Sequence, residues 1–162
     1  MATGHKNLSS FGNVQLPNAS AFNVAIVVSR WNEEVTGALY SGAVEALQQA
    51  GMPEQNISTH YVPGTFELAL GAQYAAQPDA VDAVITLGCV IQGETRHFDF
   101  ICDAAANGIM NVGLKYNKPV IFGVLTTENQ EQALDRAGGK HGNKGIEAAV
   151  TALQMLALKQ NV

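Results

Sequence analysis

At 162 residues, the chain has the length of one ordinary domain, and its 47% hydrophobic and 14% charged content is typical of a compact soluble protein. A net charge of −5 argues against nucleic-acid binding, because a phosphate backbone is bound by a basic face. No apolar run approaches the roughly 20 residues that span a bilayer, and the start of the chain lacks the apolar stretch of a secretory signal, so we expect no membrane association and a cytoplasmic location.

Apolar periodicity predicts strands that alternate with helices. Residues 1–20 are rich in Ser, Asn and Gly, and we expect an N-terminal arm there that is either disordered or paired with another surface. One α/β domain is predicted over 21–162. In chain order, its elements are a strand at 22–28, a helix at 33–50 capped by Asn32, a strand at 57–62, a helix at 65–76, a strand at 83–90, a helix at 97–116, a strand at 120–125, a short helix ending near 137 and a helix at 146–157.

Four repeats of strand and helix imply a parallel sheet joined by right-handed crossovers. We therefore predict a flavodoxin-like α/β fold, a three-layer sandwich with a four-stranded parallel sheet and helices on both faces. Ligands of such sheets bind beyond the carboxyl ends of the strands. The chemically distinctive residues all follow a predicted strand, in the loops 29–32, 64–67, 88–97 and 126–129.

The loop at 88–97 is the most informative of the four. Backbone amides at a strand-to-helix turn attract an anion, because the first helical N–H groups are unpaired and the helix dipole is positive there. His97, within one turn of those amides, can transfer a proton near neutral pH. The alternatives are that His97 caps its helix or hydrogen-bonds a neighbour, but it is the one histidine of four that lies at such a rim. An anion site beside a proton carrier indicates chemistry on a phosphorylated small molecule.

Three residues of the other loops have alternative interpretations. Trp31 is either a core aromatic that closes the first helix or a platform on which a flat heterocycle stacks. Phe66 has the same two interpretations, whereas Glu67 beside it is hard to place in a core.

The segment 138–145, with Arg136 just before it, resembles a phosphate cradle. It lacks the Gly-Lys-Ser/Thr of a P-loop and follows a helix, so a flexible basic turn between helices is the alternative. Cys89 and Cys102 are predicted to be small core residues without a disulfide or metal role. We also expect no metal site, since the remaining histidines have no clustered ligands: His5, His60 and His141.

The loops together resemble the lumazine synthases, a family of the riboflavin pathway. The matching segments are SRWN, VPGTFELAL, ITLGCVIQGETRHFD, VIFGVLTTEN and QALDRAGGKHGNKG, in this order from about Phe22 onward. The resemblance implies condensation of 5-amino-6-(D-ribitylamino)uracil with 3,4-dihydroxy-2-butanone 4-phosphate, giving 6,7-dimethyl-8-ribityllumazine, phosphate and water. It implies no redox or metal cofactor.

The resemblance also implies roles for particular residues. His97 would be the catalytic proton donor and acceptor. The uracil substrate would be bound by Trp31, Thr65, Phe66, Glu67, Cys89, Val90, Ile91 and Phe122, and the phosphate substrate by Glu94, Thr95, Arg136 and Lys144. Two residues depart from the common pattern, since Trp31 stands where phenylalanine is more usual and Glu94 where a small residue is usual.

Assembly is implied as well. The resemblance implies homo-oligomers, namely pentamers whose active sites lie between adjacent subunits. Twelve such pentamers would form an icosahedral shell. An association with riboflavin synthase is also implied. Phe122, Arg136 and Lys144 would then reach the site from a neighbouring subunit. The alternatives are a non-catalytic flavin-binding module of the same fold and an inactive shell protein. His97 and the Arg136–Lys144 cluster argue against the first, and His97, Phe66 and Arg136 argue against the second.

Overall fold

The computed structural model of this protein describes residues 16–162, so most of the predicted arm at 1–20 lies outside the described residues. None of the helices within 16–162 is long and apolar enough to cross a bilayer. In chain order the elements are β1 Val24–Ser29, α1 Glu33–Gln49, a 3₁₀ turn Glu54–Asn56, β2 Ile57–Val62, α2 Leu68–Ala76, β3 Ala83–Ile91, α3 His97–Tyr116, β4 Val120–Thr127, α4 Gln130–Asp135, β5 Ala137–Gly139, β6 Gly142–Asn143 and α5 Lys144–Gln160.

The main sheet has four parallel strands in the order β2-β1-β3-β4. Val28 of β1 faces Leu87 of β3, and Leu87 faces Gly123 of β4. The two central strands are buried almost throughout, whereas the edge strand β2 alternates between partly buried and exposed residues. The predicted four-stranded parallel sheet is confirmed.

Helices cover both faces of the sheet. Successive residues of a strand point to opposite faces. Ile26 accordingly packs in a core cluster with Leu39 of α1 and Leu153 of α5. Val27 packs in a second cluster with Leu68 of α2 and Ile109 of α3. Two core clusters on opposite sides of one sheet make the three layers of the predicted sandwich.

The basic segment 138–145 forms a β-hairpin rather than an irregular turn between helices. Ala137 faces Asn143 across the antiparallel pair of β5 and β6. The Asn143 side chain caps α5 by accepting from the Gly145 N–H at 2.8 Å, and it donates to the Ala38 carbonyl of α1 at 3.0 Å. A Cβ at Gly145 would overlap the Leu39 carbonyl, so glycine is required where α5 meets α1. Because of this cap, α5 begins at Lys144, two residues before the predicted start.

Candidate active site

A cavity of about 640 Å³ opens at the carboxyl ends of β1 and β3, the edge where ligands of open parallel sheets bind. Its wall is built from three of the four loops singled out by the sequence and from the first turn of α3. The lining residues are Trp31, Asn32, Gly64, Thr65, Phe66, Glu67, Cys89, Val90, Ile91, Gly93, Thr95, His97, Phe98 and Ile101. Nine predicted site residues therefore lie together in one cavity.

Two aromatic side chains stand at the mouth of this cavity. Trp31 is 71% exposed and Phe66 is 56% exposed, which excludes the interpretation of either residue as a core aromatic. Large apolar side chains left open to solvent at a cavity are typical of surfaces that bind a flat ligand.

Asn32 lines the cavity as well, and sequence analysis missed this. It was expected to cap α1 with its side chain, and that expectation is wrong. Asn32 occupies the N-cap position in a left-handed conformation (φ 60°, ψ 50°), and its side chain makes no bond to the helix. Its amide instead donates to the Cys89 carbonyl at 3.0 Å. The available signal was the residue type, because Asn is among the few residues that adopt a positive φ readily.

The Cys89 carbonyl has a second donor. Thr65, in the middle of the β2–α2 connection, donates from its Oγ1 to the same oxygen at 3.4 Å. Burial raises the pKa of the Cys89 thiol to about 11. The thiol is therefore protonated at neutral pH and offers no thiolate to a ligand.

His97 is the first residue of α3 and is exposed within the cavity wall. Its backbone N–H donates weakly to Thr95 Oγ1 at 3.4 Å, and its ring makes no hydrogen bond to any residue of 16–162. The N-cap position belongs to Arg96, so His97 does not cap the helix. Its imidazole is free to contact a ligand.

The backbone before His97 offers unpaired donors. The N–H groups of residues 93–96 donate no hydrogen bond within the described part of the chain, whereas the preceding Gln92 N–H donates to the Thr127 carbonyl at 2.8 Å. These groups lie at the N-terminal end of a 20-residue helix. Unpaired amides and the positive end of a helix dipole together form a site for an anion.

Four predicted site residues do not line the cavity, namely Glu94, Phe122, Arg136 and Lys144. Glu94 lies in the correct loop but its side chain is exposed outside the wall. Phe122 faces Thr86, three residues before Cys89, which puts it about 10 Å farther from the carboxyl edge. It lines a separate groove of about 540 Å³ beside β4.

The three cations near the hairpin differ in their partners. Lys140 Nζ lies 2.7 Å from Asp135 Oδ2, which raises the pKa of Lys140, and Lys144 Nζ lies 2.7 Å from Glu147 Oε2. The half-buried Arg136 guanidinium makes no ion pair or hydrogen bond to any residue of 16–162. Arg136 is therefore the free cation of this cluster among the described residues.

Comparison with known proteins agrees with this geometry. The profile of the 6,7-dimethyl-8-ribityllumazine synthase family matches residues 21–160. A protein of that name from Cytophaga hutchinsonii is 65% identical over 97% of this chain and 98% of its own length. Proteins of the same name from two other organisms are also similar. The one from Flavobacterium johnsoniae is 51% identical over 99% of this chain and 84% of its own length. The one from Parabacteroides distasonis is 47% identical over 96% of this chain and 98% of its own length. The chain therefore belongs to the 6,7-dimethyl-8-ribityllumazine synthase family.

Proposed function

We propose that this protein condenses 5-amino-6-(D-ribitylamino)uracil with 3,4-dihydroxy-2-butanone 4-phosphate to give 6,7-dimethyl-8-ribityllumazine, phosphate and water. One observation carries the proposal. A histidine whose ring is free lies beside four unpaired amides, in a cavity that also presents two exposed aromatic faces. The aromatic faces suit a heterocycle, the amides suit a phosphate, and the histidine suits the proton transfers between them.

The uracil substrate would bind between Trp31 and the end of β3. Trp31 would stack on the ring, with Phe66 as the second aromatic contact. The Glu67 carboxylate would accept hydrogen bonds from the ribityl hydroxyls, and Thr65 would support the same end. Cys89, Val90 and Ile91 would line the edge of the ring, and backbone groups at the end of this segment would hydrogen-bond it.

The phosphate substrate would bind at the N-terminal end of α3. Thr95 contributes an amide and lines the cavity there, and His97 follows it by two residues. Glu94 would contribute its amide alone, because a carboxylate facing a phosphate is unfavourable. This arrangement would place the reacting carbons of the ketone within reach of the His97 ring.

The chemistry divides into steps that each move a proton. The 5-amino nitrogen of the uracil attacks the ketone carbonyl, and loss of one water gives an imine. Removal of a proton from the adjacent carbon expels the phosphate, and the resulting enol becomes a second ketone. The ribitylamino nitrogen attacks that carbonyl, and loss of a second water closes the ring. His97 would transfer protons in these steps and would accelerate the reaction by about 10²–10⁴-fold. Alignment of the two substrates can offset roughly 7–11 kcal/mol of the activation barrier.

A second copy of the chain would complete the site. Phe122 would add an apolar wall, while Arg136 would pair with the phosphate and Lys144 would add positive charge. Three properties support this. Phe122 and Arg136 lie outside the cavity of their own chain, the guanidinium is free among 16–162, and exposed apolar side chains on α2 and α3 need cover: Leu70, Tyr74, Phe100, Met110 and Leu114. The inferred assembly is a pentamer, with twelve pentamers forming a shell.

The cellular setting follows from the same proposal. Both cysteines are free thiols, which suits the reducing cytoplasm. An association with riboflavin synthase would hand the lumazine to the enzyme that consumes it.

The proposal is tested by mixing purified protein with both substrates and following lumazine fluorescence and phosphate release together. Coupled appearance of both products is expected. His97→Ala should lower kcat by about 10²-fold with little change in either KM. A folded variant with no measurable turnover would contradict the view that alignment is the larger contribution. Tight flavin binding with neither product would instead assign the protein to the non-catalytic flavin-binding modules.

A further inference from the structure

We propose that Asn32 is a positioning residue, whose side-chain amide replaces a missing strand hydrogen bond at Cys89 and so fixes Trp31 relative to β3. The inference rests on the proposed function in one respect, namely that a heterocycle stacks on Trp31. Its structural basis is the way in which β1 ends.

Strand β1 separates from β3 while it still holds β2. Its pairing with β3 places Val28 opposite Leu87. Continued in that register, Arg30 would face Cys89, and the N–H of Trp31 would donate to the Cys89 carbonyl. The pairing with β3 ends at Val28, and the Trp31 N–H makes no backbone bond to Cys89. The pairing with β2 goes on to Ser29, and the Arg30 N–H extends it by donating to the Val62 carbonyl at 2.9 Å. A gap opens over Cys89, and this gap belongs to the cavity.

The Asn32 amide supplies the hydrogen-bond donor that the Cys89 carbonyl lacks where β1 has left β3. Its Nδ2 donates to the Cys89 carbonyl at 3.0 Å, where the strand donor is missing. A buried carbonyl without a partner is costly, and Thr65 Oγ1 at 3.4 Å is only a weak second donor. The Asn32 amide therefore allows Trp31 to leave the sheet without an unpaired carbonyl behind it.

The backbone of Asn32 links the same contact to α1. Its carbonyl accepts from the N–H groups of Val35 at 2.9 Å and Thr36 at 3.0 Å. The residue thus joins the first turn of α1 to the end of β3 and adopts a positive φ to do so. Trp31 therefore lies between two residues that are fixed by hydrogen bonds, Arg30 and Asn32, although its own side chain is 71% exposed.

This arrangement also decides which backbone groups face the ring. In β3 the even residues point toward β4, since Val84 donates to Pro119 and Gln92 donates to Thr127. Odd residues therefore point toward the gap. With the Cys89 carbonyl occupied by two side chains, the polar groups of Ile91 are the ones left for the heterocycle. Asn32 would thus set the spacing between the stacking face of Trp31 and the reading groups of Ile91.

The test compares two asparagines with the same backbone conformation. Asn32→Gly keeps the positive φ and removes the amide. Asn117→Gly is the matched control, since Asn117 also has a positive φ (51°) but lies at the C-terminal end of α3. Trp31 is the one tryptophan of the chain, so steady-state fluorescence anisotropy of the ligand-free protein reports directly on this loop.

Asn32→Gly should lower the anisotropy and raise KM for the uracil substrate by about tenfold, the equivalent of one lost hydrogen bond. KM for the ketone phosphate should stay within about twofold of the wild type, because the amides of 93–96 are untouched. The control should match the wild type in all three. Wild-type anisotropy and KM in Asn32→Gly would overturn the inference, as would an equal rise of both KM values, which a merely structural role produces.

If Asn32→Gly does not fold, the isosteric Asn32→Asp takes its place under the same criteria, since an ionised carboxylate cannot donate to the Cys89 carbonyl. If the wild type forms no lumazine, the proposed function fails, while the anisotropy comparison still supports or overturns the positioning role.

Discussion

Substitution of Gly88 by alanine should disturb the site although Gly88 itself does not line the cavity. Gly88 lies in β3 directly before Cys89. A Cβ there would lie 2.8 Å from Leu68 Cδ1 and 2.9 Å from Thr65 Oγ1, closer than real Cβ contacts allow. Leu68 is fully buried and Thr65 is 5% exposed, so neither side chain can move into solvent. The expected response is displacement of Thr65 away from the Cys89 carbonyl.

This crowding lowers the stability of the folded state. Overpacking of a buried site costs about 1–3 kcal/mol, and a domain of this size loses about 2–4 °C of Tm per kcal/mol. Gly88→Ala should therefore lower Tm by about 6 °C and raise KM for the uracil substrate several-fold. Gly37→Ala in α1 is the control, because nothing lies within 4 Å of its added Cβ and Gly37 does not line the cavity. Scanning calorimetry at one protein concentration and initial-rate kinetics measure both. Wild-type Tm and KM in Gly88→Ala would refute the reasoning.

Two further predictions concern Arg136 and Cys89. Arg136→Ala should raise KM for the ketone phosphate by about tenfold or more. Lys140→Ala is the control, because it removes a cation that is already paired with Asp135, and it should leave this KM near the wild-type value. Equal effects of the two variants would contradict the assignment of Arg136 to the phosphate. Burial raises the pKa of the Cys89 thiol from 9.0 to about 11, so the thiol binds its proton more tightly in the folded state than in the unfolded state. The contribution of this proton to the free energy of unfolding is therefore complete below pH 9 and is lost as the pH rises toward 11. In Cys102→Ala, native Cys89 should therefore not react with a disulfide reagent at pH 8 and should react at once in denaturant, and fast native reaction would contradict the burial argument.

Local patterns were sufficient for most of the fold. The bounds of β2 and α3 match those predicted, and β3 extends only one residue beyond its prediction. The hairpin at 137–143 was not predicted. Its strands are two and three residues long, too short to show any periodicity, and it is held by the contact of Asn143 with the distant Ala38.

The candidate site was also predictable as far as strand order allowed. Loops that follow parallel strands must meet at one edge, so the grouping of Trp31, Phe66 and His97 follows from chain order alone. Sequence could not decide whether Trp31 is buried, since an aromatic residue suits a core and a stacking surface equally. Its 71% exposure is a property of the folded chain.

The hydrogen bonds and distances within the site come from tertiary structure. Asn32 and Cys89 are 57 positions apart, and only the premature end of β1 beside β3 brings the amide onto that carbonyl. The same holds for Phe122 and Arg136, which fit the family pattern and yet lie outside the cavity of their own chain. Residue types and periodicity decide which groups are present and at which edge of the sheet they emerge. Strand register and strand ends decide which of these groups can touch, because a hydrogen bond tolerates only a few tenths of an ångström.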